Sequence, residues 1–326
     1  MLVFDRRSFL QTAAVGTFAA ATTTYFDHAS AATAGTSAEA PGFYRFALGE
    51  VHITSLCDGL FFLPTDSIAT NVEAGEKKAY FDAHYIAPDE FRLQANPLLI
   101  ETGQKRILVD TGVGPGKSWA PYAGRLTKSL EEAGIAPDSI NTVILTHCHG
   151  DHVGGFAADP AKQFPNAELV LSETELDLWN SPDAASKLPD WTAGGAPAAQ
   201  KLFAALGDRV RPIKGGADVV TGVTVLDTAG HTQGHISLLV GSGDKQLLIT
   251  GDAAPSIHIT FDKPEWQIKW DHDPEKGAKT RRALLDRAAT DRLLVAGYHY
   301  PFPGVGHVVK EGTGFRWLPT DWVWDG

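Results

Sequence analysis

Thr146-His147-Cys148-His149-Gly150-Asp151-His152 gathers three histidines and one aspartate into six positions, directly after the apolar run 142–145. Imidazole and carboxylate are the donors that Zn²⁺ and its neighbours favour, and a turn at this spacing can fan them toward one point. The bland alternative, four polar residues capping a helix, leaves their metal-binding character unexplained. Three more residues of the same types lie downstream: His231 after the run 223–227, Asp252 after 247–250 and His299 after 293–297. Each sits just past the C-terminal end of an apolar segment, where α/β sheets collect their sites. If those segments are strands of one direction, His147, His149, Asp151, His152, His231, Asp252 and His299 converge on one edge.

With Asp110-Thr111-Gly112 upstream, this ordered set resembles the metallo-β-lactamase superfamily: an Asp-Thr-Gly turn, a His-x-His-x-Asp-His run, then His, Asp and His. The resemblance implies an α/β (α+β) fold, a four-layer αβ/βα sandwich of two mixed sheets flanked by helices. It also implies two divalent ions, Zn²⁺ first, with Mn²⁺, Co²⁺ or Fe²⁺ able to use the same donors. His147, His149 and His231 would hold one ion, Asp151, His152 and His299 the other, and Asp252 would bridge them. Such a pair lowers the pKa of a shared water from about 16 toward ~7 and polarises a carbonyl or phosphoryl oxygen. Asp151 and Asp252 are then the catalytic candidates, Asp151 as a group that orients the hydroxide or takes its proton. Asp110 is expected to orient a ligand from behind, and His235 to play a supporting structural part.

A narrower resemblance runs from about Pro41 to Pro319. Pro41-Gly42-Phe43-Tyr44-Arg45, Cys57-Asp58-Gly59, Phe164-Pro165-Asn166-Ala167 and Phe302-Pro303-Gly304-Val305-Gly306-His307 look like methyl parathion hydrolases and related exported lactonases and arylesterases. That likeness implies small-molecule substrates, namely lactones, aryl esters and phosphotriesters, in an aromatic-lined pocket. Trp179 is expected beside the leaving group, with Trp119 and His258, and also Trp191 and Trp266, as further pocket candidates; ordinary packing competes at each. Two other chemistries use related sites. A persulfide dioxygenase, an oxidoreductase, needs one iron, whereas the second ligand set here is complete. β-Lactam hydrolysis remains an alternative, although Asp252 stands where such enzymes commonly carry Cys or Ser.

The elements that must position these residues are short. Residues 51–57 alternate as a half-buried strand, and 98–101 with 106–109, split by Gly103-Gln104-Lys105, read as a hairpin. Further strands are expected at 142–145, 169–171, 223–226, 236–240, 247–249 and 293–296. Tyr122, Leu126, Leu130 and Ala133 share a helical face ended by Gly134, and Asp273-Pro274 opens a helix through about Ala289. Residues 66–94 and 181–199 lack strong periodicity and read as solvated loops or as lids.

Composition bounds the rest. A hydrophobic content of 43% with 21% charged residues suits an ordinary globular domain, expected over residues 32–326, without an integral membrane span. The net charge of −11 argues against a nucleic-acid partner, since phosphate binding relies on clustered Lys and Arg. Residues 1–31 differ in kind. Arg6-Arg7 precedes a weakly apolar stretch and Ala29-Ser30-Ala31, the pattern of a twin-arginine export signal, implying the export machinery as partner and a periplasmic or secreted protein. Cys57 and Cys148 are expected as free thiols, and a homodimer is compatible with the sequence.

Overall fold

The computed structural model describes residues 40–160 and 162–323, so the export-type segment 1–31 lies outside the described residues. The chain opens with an antiparallel hairpin of β1 (Phe43–Leu48) and β2 (Val51–Leu56), turned at Gly49 with φ +62°. Then come β3 (Gly59–Leu63), α1 (Ala74–Ala83) and β4 (Phe91–Ala95), with β3 and β4 paired as a separate ribbon. A hairpin of β5 (Leu98–Thr102) and β6 (Lys105–Val109) is followed by α2 (Leu126–Glu132), β7 (Thr142–Ile144), α3 (Gly150–Ala158) and β8 (Glu168–Ser172). The helices α4 (Glu173–Trp179), α5 (Ala184–Lys187), α6 (Asp190–Ala193) and α7 (Ala196–Leu206) lead to β9 (Val210–Ile213). Beyond it lie β10 (Asp218–Val220), β11 (Val223–Asp227), β12 (Ile236–Ser242) and β13 (Lys245–Ile249). The chain continues through α8 (Ile259–Asp262), α9 (Pro274–Thr290), β14 (Leu294–Ala296), β15 (Val305–Glu311) and β16 (Gly314–Pro319).

Among the described residues the strands form two seven-stranded sheets, ordered β1-β2-β5-β6-β7-β8-β9 and β10-β11-β12-β13-β14-β15-β16. Both are mixed. β6 to β9 run parallel, as do β13 and β14, and the other neighbours are antiparallel. The period-two alternation of side chains builds the layers. In β6, Ile107 and Val109 enter the core between the sheets while Leu108 joins α2, α3 and α7 on the outer side. In β13, Leu247 and Ile249 face the same central core, and Leu248 packs with Leu284, Leu285 and Ala288 of α9. Each such side chain contributes ~1.5–3 kcal/mol on burial. The product is the expected helix–sheet–sheet–helix sandwich.

Local details follow from particular residues. In α9 the Asp273 carboxylate accepts the Lys276 amide at 3.0 Å and Pro274 occupies the first turn, as the Asp-Pro pair predicts. α2 starts only at Leu126; Tyr122 lies outside it, bridged to Leu60 and 63% exposed. The segment 181–199 is helical rather than a loop, comprising α5, α6 and the start of α7, and 66–94 contains α1 and the start of β4. Both cysteines are free. Among the described residues no helix is long and apolar enough to cross a membrane.

Candidate metal centre

Strand direction brings the histidines and aspartates together. β6 and β7 are parallel, as are β13 and β14, and β11 shares the direction of β13 because each is antiparallel to β12. The loops past their C-terminal ends carry Asp110, His147, His149, His231, Asp252 and His299, while Asp151 and His152 occupy the first turn of α3. Among the described residues three groups could each hold a metal ion: His147, His149 and His231; His147, His152 and Asp252; and Asp151, His152 and His299. Within each group the donor atoms lie within 4.8 Å of one another.

Every histidine of these groups turns one ring nitrogen inward and gives the other a partner behind it. His147 Nδ1 is 3.0 Å from Thr146 Oγ1, and His152 Nδ1 is 2.8 Å from Asp110 Oδ2. His231 Nδ1 meets Asp271 Oδ1 at 2.9 Å, and His299 Nδ1 donates to the Gln94 carbonyl at 2.6 Å. His149 instead turns Nδ1 inward and sets Nε2 3.3 Å from His272 Nε2. The inward atoms crowd one another: His149 Nδ1 is 3.0 Å from both His147 Nε2 and His231 Nε2. Asp252 stands between the groups, with Oδ2 3.3 Å from His231 Nε2 and 3.1 Å from His299 Nε2. His152 Nε2 and Asp252 Oδ1, 3.4 Å apart, are buried with no hydrogen-bond partner. Buried polar atoms are nearly always satisfied, so crowded lone pairs and orphaned atoms of this donor chemistry fit divalent cations.

The electrostatics divide along the same line. Burial, reinforced by neighbouring histidines, holds His147 and His149 well below the ordinary imidazole range. Burial acts on His152 in the same sense, but Asp151, Asp252 and Asp110 outweigh it and raise it well above that range. For Asp252 burial pushes upward, and His299, His152 and His231 more than reverse it. His147 and His149 are thus neutral lone-pair donors. Around Asp151 and Asp252, protons on His152 and His299 balance the carboxylates, a charge that a cation can supply instead.

The supports extend further back. Asp110, at φ +61°, accepts the Thr146 amide and hydroxyl as well as His152. His235, lowered to about 3 by burial and then by His231, accepts the Asp252 amide at Nε2. Three buried charged residues tie the loops together. Glu175 on α4 accepts the amides of Cys148 and Gly234 and the hydroxyl of Thr232, so it joins the loops that carry His149 and His231. Asp58 accepts the amides of Val113, Gly124 and Leu126, closing the loop that carries Trp119. Arg281 on α9 donates to the carbonyls of Ala253, Pro264 and Trp266 and to Asp271.

A cavity of about 700 Å³ opens onto this centre, walled by Phe61, Phe91, Leu93, Ile268 and Trp270 and reaching Asp151, Asp252 and His299. Trp119 lines its mouth, 48% exposed and edge-on to Phe61 at 5.5 Å. Trp191 of α6 lines it too, edge-on to His149 at 4.9 Å and to Trp270 at 5.1 Å. Trp179 and His258 do not, which corrects the pocket read from the sequence. Trp179 is 1% exposed and packs among Ala199, Leu202 and Phe203, because α4 directs its apolar face into the helical layer; its ring backs His149 from 6.2 Å. His258 precedes α8 and lines a separate cleft with Tyr80 and Trp317, leaving Ile259 to reach the main cavity. Trp266 is buried against Tyr80. The sequence reading missed Glu175, the tying role of Asp58, Trp270 and Asp271-His272; the last had a signal, a third Asp-His pair placed immediately before a helix cap.

Sandwich and edge site together define a metallo-hydrolase fold. The chain belongs to the metallo-beta-lactamase superfamily, whose family model matches residues 91–299. It is similar to metallo-beta-lactamase domain-containing protein 1 of Xenopus laevis, 30% identical over 228 residues that span 70% of this chain and 78% of that protein. Among solved structures it resembles hydrolase AbOPH of the beta lactamase superfamily, with a TM-score of 0.80 at 30% identity over 87% of this chain and 99% of that one. It also resembles AidC, a dizinc quorum-quenching lactonase in complex with the product N-hexanoyl-L-homoserine, with a TM-score of 0.79 at 28% identity over 86% and 98% of the two chains.

Proposed function

We propose that this chain is a dinuclear metal-dependent hydrolase of lactones and aryl esters, with phosphotriesters as a side activity. The observation that carries this reading is the inward set of five imidazole nitrogens with Asp151 and Asp252, opening onto an apolar cavity. In this reading His147, His149 and His231 hold one ion, Asp151, His152 and His299 hold the other, and Asp252 lies between them. Bound divalent cations would supply the Lewis acid and the acidified water that ester hydrolysis requires.

The chain's own residues do the rest. Phe61, Leu93, Trp191 and Trp270 bind the apolar part of the substrate and exclude water from the ester. Asp151 is the more open carboxylate, 15% exposed against 6% for Asp252, and accepts the proton that the attacking water gives up. The Tyr298 hydroxyl holds the turn by donating to the Asp151 carbonyl at 2.6 Å. Elemental analysis of purified protein, followed by hydrolysis assays on lactones, aryl esters, phosphotriesters and β-lactams, tests the reading. A single iron with oxygen consumption on a persulfide would overturn it.

Trp119 offers a test of substrate class. An aromatic pair contributes ~0.5–1.5 kcal/mol, so Trp119→Ala is expected to raise KM for aryl esters about 2- to 10-fold. Small aliphatic esters should be unaffected; equal losses on both classes would remove Trp119 from substrate binding. We also infer export through the twin-arginine route from Arg6-Arg7 and Ala29-Ser30-Ala31. Exported material should begin near Ala32 on N-terminal sequencing, and an intact Met1 would contradict it.

A further inference from the structure

The segment between α8 and α9 places two adjacent side chains behind two different histidines of the first group. Asp271 Oδ1 is 2.9 Å from His231 Nδ1, and His272 Nε2 is 3.3 Å from His149 Nε2. Their backbone is held in register, since the His272 amide donates to the His231 carbonyl and the Asp273 amide to that of Gly230. Arg281 anchors the pair to α9 through Asp271 Oδ2 at 3.0 Å.

We propose that His272 is the positioning residue for His149, a hydrogen-bond acceptor at Nε2 that fixes which nitrogen of His149 faces a bound cation. This rests on the metal reading above. The logic is one of proton placement. His149 Nδ1 lies among the inward nitrogens, so a cation there takes its lone pair and the ring proton moves to Nε2. That N–H then needs an acceptor, and His272 Nε2 is the atom in reach. His272 must in turn carry its own proton on Nδ1, which is buried with no partner.

His272 therefore differs from the other supports. His152 and His231 have carboxylates behind them and His299 a carbonyl, whereas His149 has an imidazole. An imidazole nitrogen pulls less on a ligand N–H than a carboxylate does, so the support behind His149 differs in kind from that behind His231. Trp191 packs on both rings, 4.9 Å from His149 and 5.8 Å from His272, and so limits their rotation. The first group is thus coupled to α9 and to the α6 wall of the cavity through one dipeptide.

The test is a Zn²⁺ titration of the metal-stripped full chain against a chromophoric chelator. It compares wild type, His272→Phe, which keeps a ring without an acceptor, and His272→Gln, whose amide oxygen reaches the Nε2 position. Loss of such a support typically weakens metal affinity ~10–100-fold. His272→Phe is expected to weaken one of the bound ions by that factor and to alter the visible spectrum of the Co²⁺-loaded protein. His272→Gln should restore affinity to within a few-fold at an unchanged melting temperature of the metal-free protein. Wild-type affinity in His272→Phe, or equal losses in both variants, would overturn the role of His272 alone. A wild-type chain that takes up no Zn²⁺ would overturn the metal reading and this inference with it.

Discussion

Asp252→Ala is expected to lower hydrolysis by at least ~10²–10³-fold and to leave about one metal ion per chain where the wild type holds about two. The expectation follows from where the carboxylate sits. Its Oδ2 lies between His231 of the first group and His299 of the third, and its Oδ1 faces the orphaned His152 Nε2. In the proposed function it is therefore the negative charge between two cations, and removing it leaves their repulsion unscreened at close range. The fold should survive the change, because the Asp252 contribution to the backbone, its amide donating to His235, does not involve the side chain. Elemental analysis and kcat on an aryl ester read the two effects separately. Two ions retained with activity reduced less than tenfold would remove Asp252 from between them.

Glu175→Ala should reduce the stability of the metal-free protein by about 3–5 kcal/mol. The carboxylate is fully buried and accepts from two amides and one hydroxyl on two loops. Each donor left buried without a partner costs about 1–3 kcal/mol, and the truncated side chain adds a void. Burial raises the Glu175 carboxyl, but the Cys148 amide, the Thr232 hydroxyl and the Gly234 amide oppose that rise. Glu175→Gln keeps the volume and can still accept from Cys148, so its loss should be smaller, about 1–2 kcal/mol. Denaturant unfolding with chelator present measures both. An alanine variant within about 1 kcal/mol of wild type would show that the two loops stand without this tie.

The centre was legible in the sequence to the extent that its residues are chemically rare and placed by strands. His147, His149, His231, Asp252 and His299 each follow an apolar run, and strand direction carries them to one edge, so type and position agreed. The hairpin of β5 and β6 and α9 were legible for a similar reason, since paired apolar runs around a Gly turn and an Asp-Pro cap are local signals. What lay hidden depends on contacts between segments far apart in the chain. Glu175 meets Thr232 from 57 positions away, and Asp58 meets Leu126 from 68, with no local pattern to announce either. Trp179 illustrates the converse. A tryptophan near the expected pocket reads equally well as lining or as backing, and only the packing of α4 against α7 decides for backing. The segment 181–199 concealed its short helices because Pro, Gly and Ala obscure periodicity in pieces one turn long.

The left-handed backbone at Asp110 narrows what selection can place there. A positive φ is cheap for Gly and tolerable for Asn and Asp, while bulkier residues clash with their own carbonyl. Gly would satisfy the turn but leave Thr146 and His152 without their acceptor, and Asn would present an amide group where one of two accepting oxygens is needed. Glu offers the right chemistry on a stem that the turn disfavours. Shape and charge therefore admit a single solution at this position, so drift in the surrounding loop must route around it. Variation in substrate preference is correspondingly freer on the cavity walls, where Trp119 and Trp191 are not held by the left-handed backbone that constrains Asp110.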